Sequence, residues 1–358
     1  MLIKYPQTID EAAQFLREAA AEKKPVIPAG NLTGLKSNPA VVRDDVLVVS
    51  SRDLNRVVSL EPENLLAIVE AGRTPAQLAE ALEPTGLYWP VTGQGGRTLG
   101  AIMAEGRLGA ETMARGSMID WILGTALISP EGRLVKSGGR TLKNVSGYDF
   151  TRLAWRSRGR LGFCASFILK LLPKPETAPV LEVTAKSPAE AADLAKSIIE
   201  KRLWPEALRI VYDGRSTVLL VWLAGFSEVA EAKAAEVAEL AGSGLIISHR
   251  DGFAFWENQA LKWSADDPAL VSLMGSRRAI LELSRLISDD KVSGLLRADL
   301  DVGGGRATLA LGDEVSVEKI AALVNGLIPD RFNPSGPIYE RLKQGLDPQG
   351  LLFPESAA

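Results

Sequence analysis

Three glycine-bearing segments hold the residue types that could meet a phosphate or a sugar. The first, Pro28-Ala29-Gly30-Asn31-Leu32-Thr33-Gly34, directly follows the short apolar stretch Val26-Ile27. Small residues let consecutive backbone N–H groups come close to an anion, and a run of such groups makes a nest for phosphate oxygens. The spacing is neither the GxGxxG of a Rossmann turn nor the GxxxxGK[ST] of a P-loop, so spacing alone also fits a plain turn between strands. The second segment, Gly93 to Ile102, offers the Thr98 hydroxyl with Gly100 and Ala101 for the same kind of contact, against the alternative of a surface loop. The third, Gly138 to Leu153, is dense in polar and turn residues for a stretch between two strands.

Catalytic side chains are scarce. The chain has 1 Cys, Cys164, and 1 His, His249. A single cysteine excludes an internal disulfide, a thiolate zinc site and an iron–sulfur cluster ligated by this chain alone. A single histidine excludes a His-rich metal site, and no metal is expected. Cys164 lies in an apolar strand, where a free thiol acts as a small hydrophobe. His249, beside Arg250 and Asp251, reads as a surface or interface residue. Trp256 and Trp263 read as a core or interface stripe of a helix, and Gly303-Gly304-Gly305 as a hairpin turn.

Charge narrows the partners. Lys plus Arg number 41 against 44 Asp plus Glu, a net charge of −3, which argues against nucleic-acid binding through a basic field. Hydrophobic residues at 46% and charged ones at 24% are ordinary for a soluble globular protein. No apolar run reaches the ~18 residues of a transmembrane helix. The opening MLIKYPQTIDEAA has neither an apolar h-region nor a cleavage signal. The expectation is a cytoplasmic protein with no transmembrane segment and no nucleic-acid partner.

The elements that would position these residues follow from capping and periodicity. Thr8 and Glu11 open a helix whose apolar positions are Ala12, Ala13, Phe15, Leu16 and Ala19. Val46–Val49 and Leu65–Val69 read as buried strands, and Thr74 with Pro75 starts a second helix running to Leu82. Trp89 to Glu111 reads as a glycine-rich packed loop. Ile122–Ile128 and Leu134-Val135 read as a hairpin, and Phe163–Leu172 as a strand stopped by Pro173-Lys174-Pro175. Beyond that stop, strands at 180–185, 207–212, 218–223, 294–300 and 307–311 alternate with helices at 188–201 and 228–240, the mark of an α+β domain with an antiparallel sheet. A helix and an Asp-Pro turn occupy 338–353. No fixed-period repeat is evident. Three parts are expected: residues 1–175, 176–335 and 336–358.

The order of these segments resembles the small flavin subunit of bacterial glycolate oxidase, within the vanillyl-alcohol-oxidase-type FAD-binding proteins. The resemblance is carried by the Pro28–Gly34 loop, Thr98-Leu99-Gly100-Ala101, Gly116 to Gly124 (GSMIDWILG), Lys143 to Asp149 (KNVSGYD), Arg152-Leu153, Leu161-Gly162, Leu342-Lys343 and Asp347-Pro348. It implies an α+β fold: a two-subdomain FAD-binding domain over 1–175, an α+β cap domain with an antiparallel sheet, and a C-terminal segment returning to the FAD domain. By position, it implies that Pro28, Ala29, Gly30, Asn31, Leu32, Thr33 and Gly34 cradle the pyrophosphate. Thr98, Gly100, Ala101, Gly116, Ser117 and Asp120 would line the diphosphate and ribityl. Gly162 and Phe163 would offer backbone groups near the adenine or ribityl, and Asn144 and Tyr148 would lie close to the isoalloxazine.

Departures from the family pattern accompany these matches. Arg156-Ser157-Arg158-Gly159-Arg160 stands where GSEGT is usual, as a diphosphate partner, an acidic-partner surface or a solvated basic edge. The resemblance implies a FAD-dependent oxidoreductase, namely the flavin subunit of a multi-subunit glycolate or D-lactate dehydrogenase, with non-covalent FAD. Substrate oxidation would fall to a histidine-bearing larger flavin subunit, and a cysteine-rich iron–sulfur subunit would carry electrons away. The assembly would be cytoplasmic, or held at the inner face of the membrane through its partners. A self-contained FAD oxidoreductase and a flavin-free assembly subunit are the alternatives, and no catalytic residue is assigned.

Overall fold

The computed structural model describes residues 2–32, 45–140, 148–242, 244–259, 270–312, 317–330 and 337–352. They fall into two compact units, one of Met1–Arg107, Ser117–Lys174 and Phe332–Ala358, the other of Leu108–Gly116 and Pro175–Arg331.

In the first unit β1 (Leu2–Lys4) precedes α1 (Ile9–Ala21), which starts where its cap dictates. The Thr8 hydroxyl accepts the N–H of Glu11, and the Glu11 carboxylate accepts that of Gln7. β2 (Val26–Ala29) and β3 (Leu47–Ser50) join β1 in a parallel sheet of order β1-β3-β2. β3 is central and buried along its whole length, which is why its sequence, LVVS, shows no alternation. β4 (Val57–Glu61) and β5 (Leu66–Glu70) lead into α2 (Pro75–Leu82), held by a full capping box between Thr74 and Gln77. β6 (Leu87–Tyr88) follows, then α3 (Leu99–Glu105). That helix lies inside the stretch expected to be loop. Seven residues between glycines hide the helical period, but Leu99, Ile102 and Met103 form its buried side and Thr98 caps it.

β7 (Ile122–Ile128) and β8 (Leu134–Gly138) make the expected hairpin; α4 (Phe150–Ala154), β9 (Phe163–Lys170) and β10 (Leu172–Pro173) complete this stretch. The five-stranded antiparallel sheet runs β4-β5-β9-β7-β8. Its inner face packs Val69, Phe167 and Leu169 against Leu78 of α2 and Ile102 of α3.

The second unit is built on one antiparallel sheet of eight strands. β11 (Val180–Ala185), α5 (Pro188–Glu200), β12 (Ala207–Tyr212), β13 (Thr217–Trp222), α6 (Ser227–Ala241) and β14 (Ile246–His249) form a βαββαβ module, followed by α7 (Gly252–Gln259). β15 (Leu270–Gly275), α8 (Arg277–Ser288), β16 (Leu295–Asp301), β17 (Arg306–Leu311), α9 (Val317–Leu323) and β18 (Leu327–Pro329) repeat the same order. The sheet order β14-β11-β13-β12-β16-β17-β15-β18 joins the modules edge to edge through β12 and β16. This duplication is one of topology and leaves no residue period to read. Ala191, Ala195 and Ile198 of α5 and Ile280, Leu283 and Ile287 of α8 bury one face of the sheet with Leu208, Ile210, Leu300 and Leu309. Trp222 of β13 and Trp256 of α7 are buried together in a separate cluster, which also takes in Ala207 of β12. The Gly303-Gly304-Gly305 turn connects β16 to β17.

α10 (Pro337–Leu346) returns to the first unit, where Leu352 makes a parallel bridge to Val26. No helix among the described residues is long and apolar enough to cross a membrane.

Candidate functional site

β2 and β3 run parallel and deliver their carboxyl ends to the same place, the position at which open α/β sheets take ligands. Ser51 N donates to Ala29 O at 2.8 Å, and the Ser50 hydroxyl donates to Gly30 O at 2.7 Å. Both serines are buried. Beyond them the first and second glycine segments meet. A Cβ on Gly30 would stand 2.2 Å from Thr98 Oγ1 and 3.2 Å from the Ala101 Cβ, so only glycine permits this approach. The Asn31 amide donates to Gly96 O at 2.7 Å. Leu32 (φ 61°) adopts the left-handed conformation, as do Gly93 (φ 75°), Gly95 (φ 60°) and Gly96 (φ 74°).

Thr98 is fully buried, and its hydroxyl accepts Ala101 N at 3.3 Å. Leu99 N and Gly100 N donate to Arg73 O and Ala71 O, each at 2.8 Å, and Ala71 N donates to Ala165 O of β9 at 2.9 Å. Gly100 therefore serves close packing, since its Cβ would meet the Ala71 Cβ at 3.2 Å. Gly30 and Asn31 thus meet Thr98, Ala101 and Gly96 within the first unit.

The other expected residues are placed differently. Ser117 and Asp120 bond to each other, with the Asp120 carboxylate accepting Ser117 N at 2.9 Å and Ser117 Oγ at 3.0 Å, and so shape the turn into β7. Gly116 (φ 77°) ends the helical turn Thr112–Arg115 at the edge of the second unit. Gly162 would place a Cβ 3.2 Å from Ile128 O, and the Phe163 ring is core, leaving backbone as what this pair can present. The Tyr148 side chain is 84% exposed. Thr33, Gly34 and Asn144 lie outside the described residues. Sequence reasoning missed Ser50-Ser51 and Ala71-Gly72, which hold the glycine loops from behind. A Cβ on Gly72 would be 1.7 Å from Ser51 O, and the signal for such packing is only the small pair closing each apolar strand.

The arginine run has a structural use. Arg156 (φ 62°) and Arg158 (φ 51°) turn the chain so that their N–H groups reach Met103 O at 3.1 Å and Ala104 O at 2.8 Å, capping the C-terminus of α3. Cys164 is no nucleophile, because burial pushes its thiol up to about 12. In the second unit His249 Nε2 is bonded to Glu182, with the Phe255 ring 4.6 Å away. Arg209 pairs with Asp299 at 3.5 Å and lies over the Trp256 ring at 5.1 Å, while burial holds the Asp301 carboxyl above the usual carboxylate range. Among the described residues no group of three or more His, Cys, Asp or Glu could hold a metal ion.

The Gly30–Thr98 cradle is backbone-lined and closed to any Cβ, which fits a phosphate-bearing cofactor. The buried Trp89 Nε1, without a partner among the described residues, leaves a donor in the same unit. Comparison with known proteins agrees. The chain is 29% identical to the glycolate oxidase subunit GlcD of Bacillus subtilis over 208 residues, 58% of this chain and 44% of that protein. It is also 29% identical to the mitochondrial D-lactate dehydrogenase [cytochrome] of Arabidopsis thaliana over 194 residues, 54% of this chain and 34% of that protein. It therefore spans less than half the length of these curated relatives. An alkyldihydroxyacetonephosphate synthase shares the fold at a TM-score of 0.74 and 15% identity, covering 99% of this chain and 76% of that one. A chitooligosaccharide oxidase does so at 0.71 and 11%, covering 99% and 91%. The family model described as FAD binding domain matches residues 2–138, the part of the chain that contains the Gly30–Thr98 cradle.

Proposed function

We propose that this chain is the FAD-binding subunit of a multi-subunit dehydrogenase of 2-hydroxy acids such as glycolate or D-lactate. The observation that carries the reading is the junction of the two glycine segments, Gly30 against Thr98 and Asn31 on Gly96, at the carboxyl ends of β2 and β3. Pro28 to Leu32 would hold the diphosphate by backbone groups, with Thr98 to Ala101 and Gly162 beside it. When bound, FAD supplies acceptance of two electrons from a substrate carbon and their onward release one or two at a time.

The chain's own side chains support a divided labour. Its single His249 is bonded to Glu182, and a hydroxyl proton needs a base within hydrogen-bond reach. We therefore assign substrate oxidation to a larger flavin subunit. With 1 Cys this chain cannot ligate a cluster, so a cysteine-rich iron–sulfur partner takes the electrons. We place the assembly in the cytoplasm or on the inner face of the membrane through its partners. FAD is held without a covalent link, since the Pro28–Gly34 loop contains no His, Cys or Tyr.

A tagged copy isolated from its native host should be yellow, and acid precipitation should release the flavin into the supernatant. It should co-purify with a cysteine-rich companion and reduce a dye with glycolate or D-lactate only in that company. A colourless chain overturns the cofactor reading, flavin on the pellet overturns the non-covalent one, and full turnover by the isolated chain replaces the subunit with a self-contained oxidoreductase.

A further inference from the structure

β2 is an edge strand of its sheet, and the phosphate loop hangs from its carboxyl end. What closes its outer edge comes from more than 300 residues away. Val26 N donates to Leu351 O at 2.7 Å, and Leu352 bridges Val26 in parallel. That short strand is held by one ion pair. The Asp347 carboxylate accepts Leu351 N and Leu352 N, each at 2.9 Å, and the Lys343 ammonium at 2.5 Å. Lys343 Nζ also donates to Leu352 O at 2.7 Å and to Arg160 O at 3.1 Å. All three ammonium donors are thereby used. The Asp347 side chain is 0% exposed and that of Lys343 17%.

A buried ion pair is a poor device for stability, because desolvation offsets most of its attraction; its best-attested use is to fix register. Here it fixes two registers at once. One is Leu351–Leu352 on β2, which leads to Gly30. The other is the Arg160 carbonyl, two residues before Gly162, at the end of the arginine turn that caps α3. The N-terminus of α3 is Thr98, the wall of the Gly30 cradle. Residues 343–352 therefore grip both sides of the cradle, although they lie far outside the 2–138 match. We propose that this C-terminal segment is a latch that positions the cofactor loop, and that Asp347, through Lys343, is its positioning residue.

The inference rests on the cofactor reading for its purpose, not for its test. Asn at 347 keeps the shape but replaces one acceptor oxygen by a donor, so it can no longer serve Leu351, Leu352 and Lys343 together. In apo protein, Asp347→Asn should speed amide exchange at Val26 and at Gly30–Leu32 about tenfold, the loss expected for hydrogen bonds to a charged group, and leave Ala67–Val69 of β5 unchanged. The FAD dissociation constant should rise by a similar factor. By linkage, FAD added to the wild type should slow exchange at Leu351 and Leu352. If Asp347→Asn does not fold, Lys343→Gln, which leaves the Asp347 bonds to Leu351 and Leu352, reports on the same amides. Equal acceleration in β2 and β5, or none at Val26–Leu32, overturns the latch. A wild type that holds no FAD sinks the cofactor reading alone, and the apo exchange still decides the latch.

Discussion

The contact that joins the two glycine segments can be broken by one methyl group. In Gly30→Ala the new Cβ would stand 2.2 Å from Thr98 Oγ1, well inside any real contact distance. Thr98 cannot simply turn away. It is 0% exposed, and its hydroxyl caps α3 by accepting Ala101 N, so rotation forfeits a cap of about 1 kcal/mol. Moving the Gly30 backbone instead strains a packed loop at about 1–3 kcal/mol and stretches the Ser50 Oγ–Gly30 O bond. Whichever route is taken the cost is about 1–3 kcal/mol, a fall in melting temperature of roughly 2–12 °C for a domain of this size. The flavin-to-protein absorbance ratio should fall with it, because the displaced loop is the cradle. The decisive assay is a double-mutant cycle. Thr98→Ala removes the atom the methyl would strike, so Gly30→Ala should cost at least 1 kcal/mol less in that background. Gly139→Ala, where a Cβ meets nothing within 4 Å, is the control. Strict additivity, or full flavin content in Gly30→Ala, would refute the steric argument.

Three further outcomes are expected. Arg115 and Glu206 form a bidentate pair at 2.8 and 2.6 Å with Glu206 only 7% exposed, so Glu206→Ala should cost about 2–3 kcal/mol in urea unfolding, discounted for the one-third exposure of Arg115. With the Cys164 thiol pushed up to about 12, alkylation at pH 8 should be much slower in the folded protein than on unfolding; equal rates contradict that shift. Burial holds the Asp301 carboxyl above its ordinary value, so the folded state keeps a proton that the unfolded state has released. Stability is then lost as pH rises through that window, and Asp301→Asn, which can still accept Gly304 N, should flatten the decline in melting temperature above about pH 4.

Much of the fold is legible in local signals. Thr8, Thr74 and Ser187 each accept the N–H three residues on, and each helix begins where its hydroxyl allows. The apolar strands of both sheets stand out because burial on one or two faces imposes period-two or unbroken patterns. α3 escapes because seven residues span two turns and glycines bracket them. The paired βαββαβ modules escape for another reason. Packing requires only apolar residues at the inward positions, and Ala191, Ala195 and Ile198 in α5 meet that demand as well as Ile280, Leu283 and Ile287 in α8. A repeat preserved in topology and volume need preserve no identity.

The candidate site divides along the same line. Gly30, Asn31 and Thr98 are readable because their types are what close backbone approach demands, wherever the partner lies. Asp347-Pro348 stands out only as part of the resemblance; what Asp347 does is not readable, since it acts on Leu351, Leu352 and Lys343, and nothing local distinguishes it from a turn aspartate. The arginine run has a use that side-chain type does not announce. Three cations in five residues suggest an anion or an acidic partner, yet what Arg156 and Arg158 demonstrably contribute is main chain: two N–H groups on the last carbonyls of α3, reached by left-handed turns. A left-handed arginine costs about 1 kcal/mol that glycine would not. Gly106 (φ 65°), whose Cβ would strike Arg156 Cγ at 2.0 Å, gives the compensation: the aliphatic stem of Arg156 fills the space left open at the helix end. Glycine at 156 would relieve the backbone and empty that space.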